Sequence, residues 1–129
     1  MIAADISRGE VYLARCERRA VGTFTLQWSD ALFWPGAKAE ADYIHRIAVR
    51  REAHGLGLAL LKMAERVTAA SGRELLRLDC FSGNDALCDY YERAGFERRS
   101  EIEVDGRADP TVPESNARFL ARQYEKSLA

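Results

Sequence analysis

The sequence predicts an α/β fold built on a mixed β-sheet, and three observations carry that expectation. Branched and aromatic residues gather in runs of strand length, EVYLARC, AVGTFTLQW, DYIHRIAV and ELLRLDCF, each bounded by polar or glycine-containing stretches. Two other stretches repeat apolar residues at helical spacing: Leu56, Leu60, Met63, Ala64 and Val67 in one, Leu87, Cys88, Tyr91 and Ala94 in the other. The first of these helices stands between two strands, and a crossover helix makes its flanking strands parallel, while the chain ends read as antiparallel hairpins.

Taken in order, EVYLARC and AVGTFTLQW flank the polar Glu17-Arg18-Arg19 and form a hairpin. Only MIAADISRG precedes them, a remnant ahead of the first hairpin. The loop ALFWPGAKAEA leads into the strand DYIHRIAV, and a glycine turn then opens the first helix. That helix sets Lys62, Glu65 and Arg66 against its apolar side and closes near Gly72. ELLRLDCF follows, then a second helix with Asn84 as its N-cap and Gly95 at its C-terminal cap. FERRSEIEV and ARFLARQYEKSL pair around a polar loop containing Pro110 and Pro113.

Composition narrows the function classes. A chain of 129 residues reads as a single domain over 1–129, without repeats or a linker. Nineteen Lys+Arg against 20 Asp+Glu give no electrostatic case for nucleic acid or a membrane surface. Cys16, Cys80 and Cys88 are odd in number and contain no CxxC, so neither a disulfide framework nor a metal site is expected. With no signal-like or bilayer-spanning run, the expectation is a reduced, cytoplasmic setting.

Chemistry concentrates in two segments. VRREAHGLGLA, from Val49 to Ala59, carries a strand through backbone-baring glycines into a helix. The first N–H groups of that helix lack intrahelical partners, and its positive dipole end suits a pyrophosphate. Gly55-Leu56-Gly57 with Asp79 further on imitates a dinucleotide fingerprint, but Leu60 stands at the third glycine position and too little chain follows Asp79 for a doubly wound fold. NDALCDYYERAGF, from Asn84 to Phe96, supplies a capped helix with a tyrosine near its end.

Together the two segments resemble the GNAT superfamily of N-acetyltransferases, from about Gly9 to the end of the chain. The family's cofactor loop reads Arg or Gln, two residues, Gly, one residue, Gly or Ala, and here falls on His54, Gly57 and Ala59. Its later Asn, Tyr and Gly-Phe match Asn84, Tyr91, Gly95 and Phe96 without a gap. The resemblance implies a GNAT-like sheet with a splayed parallel strand pair, acetyl-CoA as co-substrate, and direct attack of a primary amine of a small molecule or protein on the thioester. It assigns the pantetheine arm to the backbone of Ile47, Ala48 and Val49 with help from Asn84, and the pyrophosphate to His54, Gly55, Leu56, Gly57, Leu58 and Ala59. Tyr91 lies in register to protonate the departing thiolate, since a tyrosine near its usual pKa of ~10 keeps its proton at neutral pH. An amine of pKa near ~10.4 must lose a proton, and Asp79 and His45 are both candidates to take it, directly or through water.

The chain departs from the family pattern twice. His54 replaces the usual Arg or Gln, which predicts that coenzyme A affinity weakens from about pH 6 to 8, with Arg50 and Arg51 close enough in sequence to compensate. The N-terminal strand and helices that wall the acceptor site are largely absent, roughly 30 to 40 residues by the usual size of such domains. This leaves the acceptor unreadable, exposes an edge that a homodimer would cover, and keeps open a non-catalytic acyl-CoA-binding or interaction module.

Overall fold

The computed structural model describes residues 2–7, 9–16, 18–28, 30, 33–36, 41–50, 55–105 and 118–129, with side chains from residue 11 onward except Cys16. Among the described residues seven strands and two helices follow one another as β1 (Ile2–Ser7), β2 (Gly9–Cys16), β3 (Arg19–Gln27), β4 (Ala41–Val49), α1 (Leu56–Ala70), β5 (Leu75–Phe81), α2 (Asp85–Arg93), β6 (Glu97–Asp105) and β7 (Arg118–Ser127). Each strand and helix named from the sequence is present within a residue or two. β1 is the addition: the segment read as a remnant alternates Ile2, Ala4 and Ile6 with Ala3, Asp5 and Ser7, and it pairs with β2 from Ile2↔Ala14 to Ser7↔Gly9. Among the described residues no helix is long and apolar enough to cross a membrane.

The chain divides into two compact units. The first contains residues 1–29, 39–76 and 127–129. Its strands β1 to β4 form an antiparallel meander, and α1 packs on β3 and β4 before the chain enters β5, the strand–helix–strand order expected from the sequence. Tyr12 and Phe24 stack with ring centroids 4.9 Å apart, and Leu26, Ile44, Leu60, Leu61 and Ala64 are buried with them. Gly22 permits this packing, because a Cβ there would meet Leu60 Cδ1 at 3.0 Å and the Ala48 carbonyl at 3.2 Å. Below α1, Asp42 accepts from Thr68 Oγ1 at 3.0 Å and from Arg73 Nε at 2.9 Å, which ties the end of the helix to the start of β4.

The second unit contains residues 30–38 and 77–126. Strand β7 lies between β5 and β6, and β6 and β7 form an antiparallel hairpin with one extra residue at Arg99. Leu78, Cys80, Cys88, Tyr91, Phe96, Val104, Ala121 and Tyr124 are buried. Asn84 Oδ1 accepts the Leu87 N–H at 3.1 Å, the N-cap expected at the start of α2. Gly95 has φ 98°, a left-handed conformation that its missing Cβ makes cheap just past the helix. Arg77 gives Nε to Glu125 at 2.8 Å and stacks 4.7 Å from the Trp34 ring.

Candidate functional site

In the first unit, the candidate cofactor segment begins with a distortion in β4. Register runs Thr25↔His45 and then Thr23↔Ala48, so β4 carries one more residue than β3 across this interval. Arg46 takes up the excess with φ 53°, a left-handed conformation in a residue with a full side chain. A bulge with such a residue breaks the ladder and re-aims the neighbouring main-chain groups, and strain of this kind persists where the surrounding structure fixes it. The bulge falls between His45 and the Ile47-Ala48-Val49 backbone proposed to hold a ligand as an added strand. His45 and Ile47 are half-buried and Ala48 is exposed.

Beyond the bulge, Val49 returns to register opposite Gly22, and Arg50 is tied to β3 twice. Its N–H reaches the Val21 carbonyl at 2.8 Å and its Nε the Ala20 carbonyl at 2.6 Å, so this side chain already serves the strand end. An open, mainly apolar groove of about 320 Å³ lies here, lined by Leu13, Val21, Thr23, Ala48, Val49 and Arg50 among others. Arg51 and His54 lie outside the described residues. Gly55, with a φ of 91°, leads into α1. Among the described residues no side chain caps α1, and no acidic residue stands in its first turn. The amides at the start of Leu56, Gly57, Leu58 and Ala59 therefore form an anion-attracting end.

The second unit places Asp79 on β5, and Asn84 and Tyr91 on α2. Asn84 uses Oδ1 for its own helix, which leaves the amide NH₂ for a ligand carbonyl. Tyr91 is 5 % exposed and sits edge-on to Tyr90 and Phe96, with centroids 5.5 and 6.1 Å away. Burial pushes its pKa well above the usual value, and Cys80, Tyr90 and Asp79 push it further the same way. The hydroxyl thus keeps its proton throughout the neutral range, as a general acid requires. Asp79 is half-buried, with a carboxylate oxygen of Asp30 in the same unit within 4.8 Å of one of its own.

Two features of these units are not announced by local sequence. A left-handed arginine inside a strand has no compositional mark, because the register of β3 imposes it. The Cys80–Cys88 thiol contact, 3.0 Å across a strand-to-helix corner, would have needed the inward faces of β5 and α2 to be compared. The alternation that puts Cys80 inward with Leu76 and Leu78 is the signal that leads there.

The Acetyltransferase (GNAT) family model matches residues 3–96. An uncharacterized N-acetyltransferase of Bacillus subtilis (strain 168), YesJ, is 30% identical over 103 residues, which is 74% of this chain and 57% of that protein. The chain thus spans little more than half the length of this curated relative. A Bacillus subtilis acetyltransferase crystallised with CoA superposes with a TM-score of 0.73 at 17% identity, over 95% of this chain and 78% of that one. A GNAT family acetyltransferase from Elizabethkingia anophelis with acetyl-CoA bound gives 0.74 at 18% identity, over 93% and 76%. At these identities the likeness is one of fold.

Proposed function

This chain belongs to the acetyltransferase (GNAT) family, and from that premise we propose that it binds acetyl-CoA and transfers the acetyl group to a primary amine of a small molecule or protein. The observation that carries the reading is the start of α1, entered through left-handed Gly55 with no side-chain cap among the described residues, on the chain that leaves β4 after its bulge at Arg46. The residues present suit the co-substrate: main-chain donors of α1 for its pyrophosphate, and the exposed backbone around Ala48 with the Asn84 amide for its pantetheine arm.

In this reading the amine nitrogen attacks the thioester carbon, and main-chain N–H groups at the β4 bulge stabilise the oxygen that becomes negative. The carbon–sulfur bond then breaks, and the departing thiolate takes its proton from Tyr91. Asp79 or His45 receives the proton that the amine gives up. The free thiols of Cys80 and Cys88 support a reduced, cytoplasmic setting. β1 pairs with β2 along one edge, and association of two copies along its other edge belongs to the same reading.

Calorimetric titration of acetyl-CoA, with NAD beside it, tests the claim. Saturable binding of acetyl-CoA alone is the expected result, and a folded sample that ignores it overturns the proposal. Tyr91→Phe then separates an enzyme from a binding module: kcat should fall about 10²-fold or more with acetyl-CoA affinity kept, as for loss of a general acid. Unchanged turnover removes Tyr91 from the chemistry. Asp79→Asn and His45→Gln, compared by their acid limbs in kcat/KM, decide which group accepts the amine proton.

A further inference from the structure

The second unit buries two thiols that the proposed acetyl transfer does not use. Cys80 is the next-to-last residue of β5 and Cys88 lies in the first turn of α2, 2 % and 0 % exposed. Their sulfurs stand 3.0 Å apart. Both also approach one acceptor, the Phe81 carbonyl, at 3.8 Å from Cys80 and 3.7 Å from Cys88, and that carbonyl takes the Asn84 N–H at 3.0 Å. The corner between strand and helix therefore holds the two side chains converged, with about 1 Å separating them from a bond of ~2.05 Å.

We propose that Cys80 and Cys88 form a reversible intrachain disulfide by exchange with a small-molecule disulfide, and that this bond latches the first turn of α2 to the end of β5. One thiolate attacks a sulfur of the small disulfide and expels one of its halves as a thiolate, leaving a mixed disulfide on the protein. The second cysteine, deprotonated in turn, attacks the protein sulfur of that intermediate and expels the other half. The two protein thiols lose two electrons and two protons, and the small disulfide becomes two thiols.

The packing also sets the speed. Burial, reinforced by the neighbouring thiol, pushes the Cys80 pKa up to about 12, so Cys80 holds almost no thiolate at neutral pH, and Cys88 is closed off from solvent beside it. Exchange waits for the first turn of α2 to open, which makes the pair a slow recorder of sustained oxidation. Cys88 and Tyr91 stand three residues apart on the same face of α2, and both are buried. Drawing Cys88 toward β5 displaces the helix that carries Tyr91, and an error near 1 Å in a catalytic group costs up to about 10²-fold in rate. This consequence for catalysis rests on the acetyltransferase reading above, whereas the disulfide itself does not.

The test uses the full chain carrying Cys16→Ser, so that only the pair titrates. After incubation with glutathione disulfide at pH 8.5, the chain should lose about 2 Da and both thiols, and dithiothreitol should restore them. The oxidised chain should keep acetyl-CoA affinity within threefold and transfer acetyl at least tenfold more slowly. Adding Cys80→Ser should abolish the mass loss; if that variant fails to fold, the parent's mass still decides. Two persisting thiols, or a glutathione on each cysteine, overturn the disulfide, and an oxidised chain of unchanged turnover overturns the latch. Failure of both redox forms to bind acetyl-CoA counts against the acetyltransferase reading while the mass still decides the disulfide.

Discussion

Asp42 shows at the scale of one residue how a buried charge is tolerated. It is 6 % exposed, accepts hydrogen bonds from Thr68 and Arg73, and yet has a pKa above its usual value of 3.8, because burial outweighs both partners. A carboxyl whose folded pKa is raised adds stability that is complete below the unfolded value and is lost as pH rises through the folded one. Asp42→Asn removes that dependence, so its melting temperature should improve relative to the parent between pH 4 and pH 7; a constant difference would show that Asp42 is not titrating. Asp42→Ala strands Thr68 and Arg73 and should cost about 1–3 kcal/mol in denaturant unfolding. Asn84 admits an equally local test, since its two amide atoms have separate work. Asn84→Asp keeps an oxygen for the Leu87 N–H but loses the NH₂ group, so stability should hold while acetyl-CoA affinity drops about tenfold; Asn84→Ala should also cost about 1 kcal/mol of stability. An Asn84→Asp variant with full affinity would leave Asn84 as a cap and nothing more.

The two helices differ at the scale of elements. α2 closes its start with Asn84 and has Asp85 in its first turn, whereas α1 has, among the described residues, neither a side-chain cap nor an acid there. The open end forgoes stabilisation that a cap would supply, about 1 kcal/mol, and retains affinity for an anion. Leu58, 46 % exposed in the first turn of α1, is the place to reverse the choice. Leu58→Glu should stabilise the free protein by about 0.3–1 kcal/mol through the helix dipole and weaken acetyl-CoA binding at least tenfold by charge repulsion. A variant more stable and equally tight in binding would move the pyrophosphate away from this helix. The same contrast shows what local sequence can express. Gly55 before an apolar periodicity, and Asn84 seven residues ahead of Tyr91, are short-range patterns, and the structure places the helix starts where they predict. β1 was also legible, because Ile2, Ala4 and Ile6 alternate at period two, but that signal is easily passed over in so short a run. Arg46 was not, since its left-handed φ follows from how β3 and β4 pair.

At the scale of the whole molecule, charge decides how a polyanionic ligand is attracted. Arginine and lysine nearly balance the acids, for a net charge of −1, so the chain has little long-range field to draw coenzyme A in. Arg50, the nearest described cation ahead of α1, already gives its Nε to the Ala20 carbonyl. In the proposed site affinity comes chiefly from groups in contact with the ligand, the main-chain amides of α1 and the backbone of β4, whose hydrogen bonds act within a few ångströms and are screened little by salt. Two titrations of acetyl-CoA, at 50 and 500 mM sodium chloride, test this. The Debye length falls from roughly 14 Å to 4 Å across that range, so a site assembled from side-chain cations would lose affinity by orders of magnitude, while one assembled from amides should lose less than about tenfold. The shallow result also predicts that Arg50→Gln changes affinity only a few-fold. A steep salt dependence would instead assign the phosphates to cations, with Arg50 and Arg51 the first to replace.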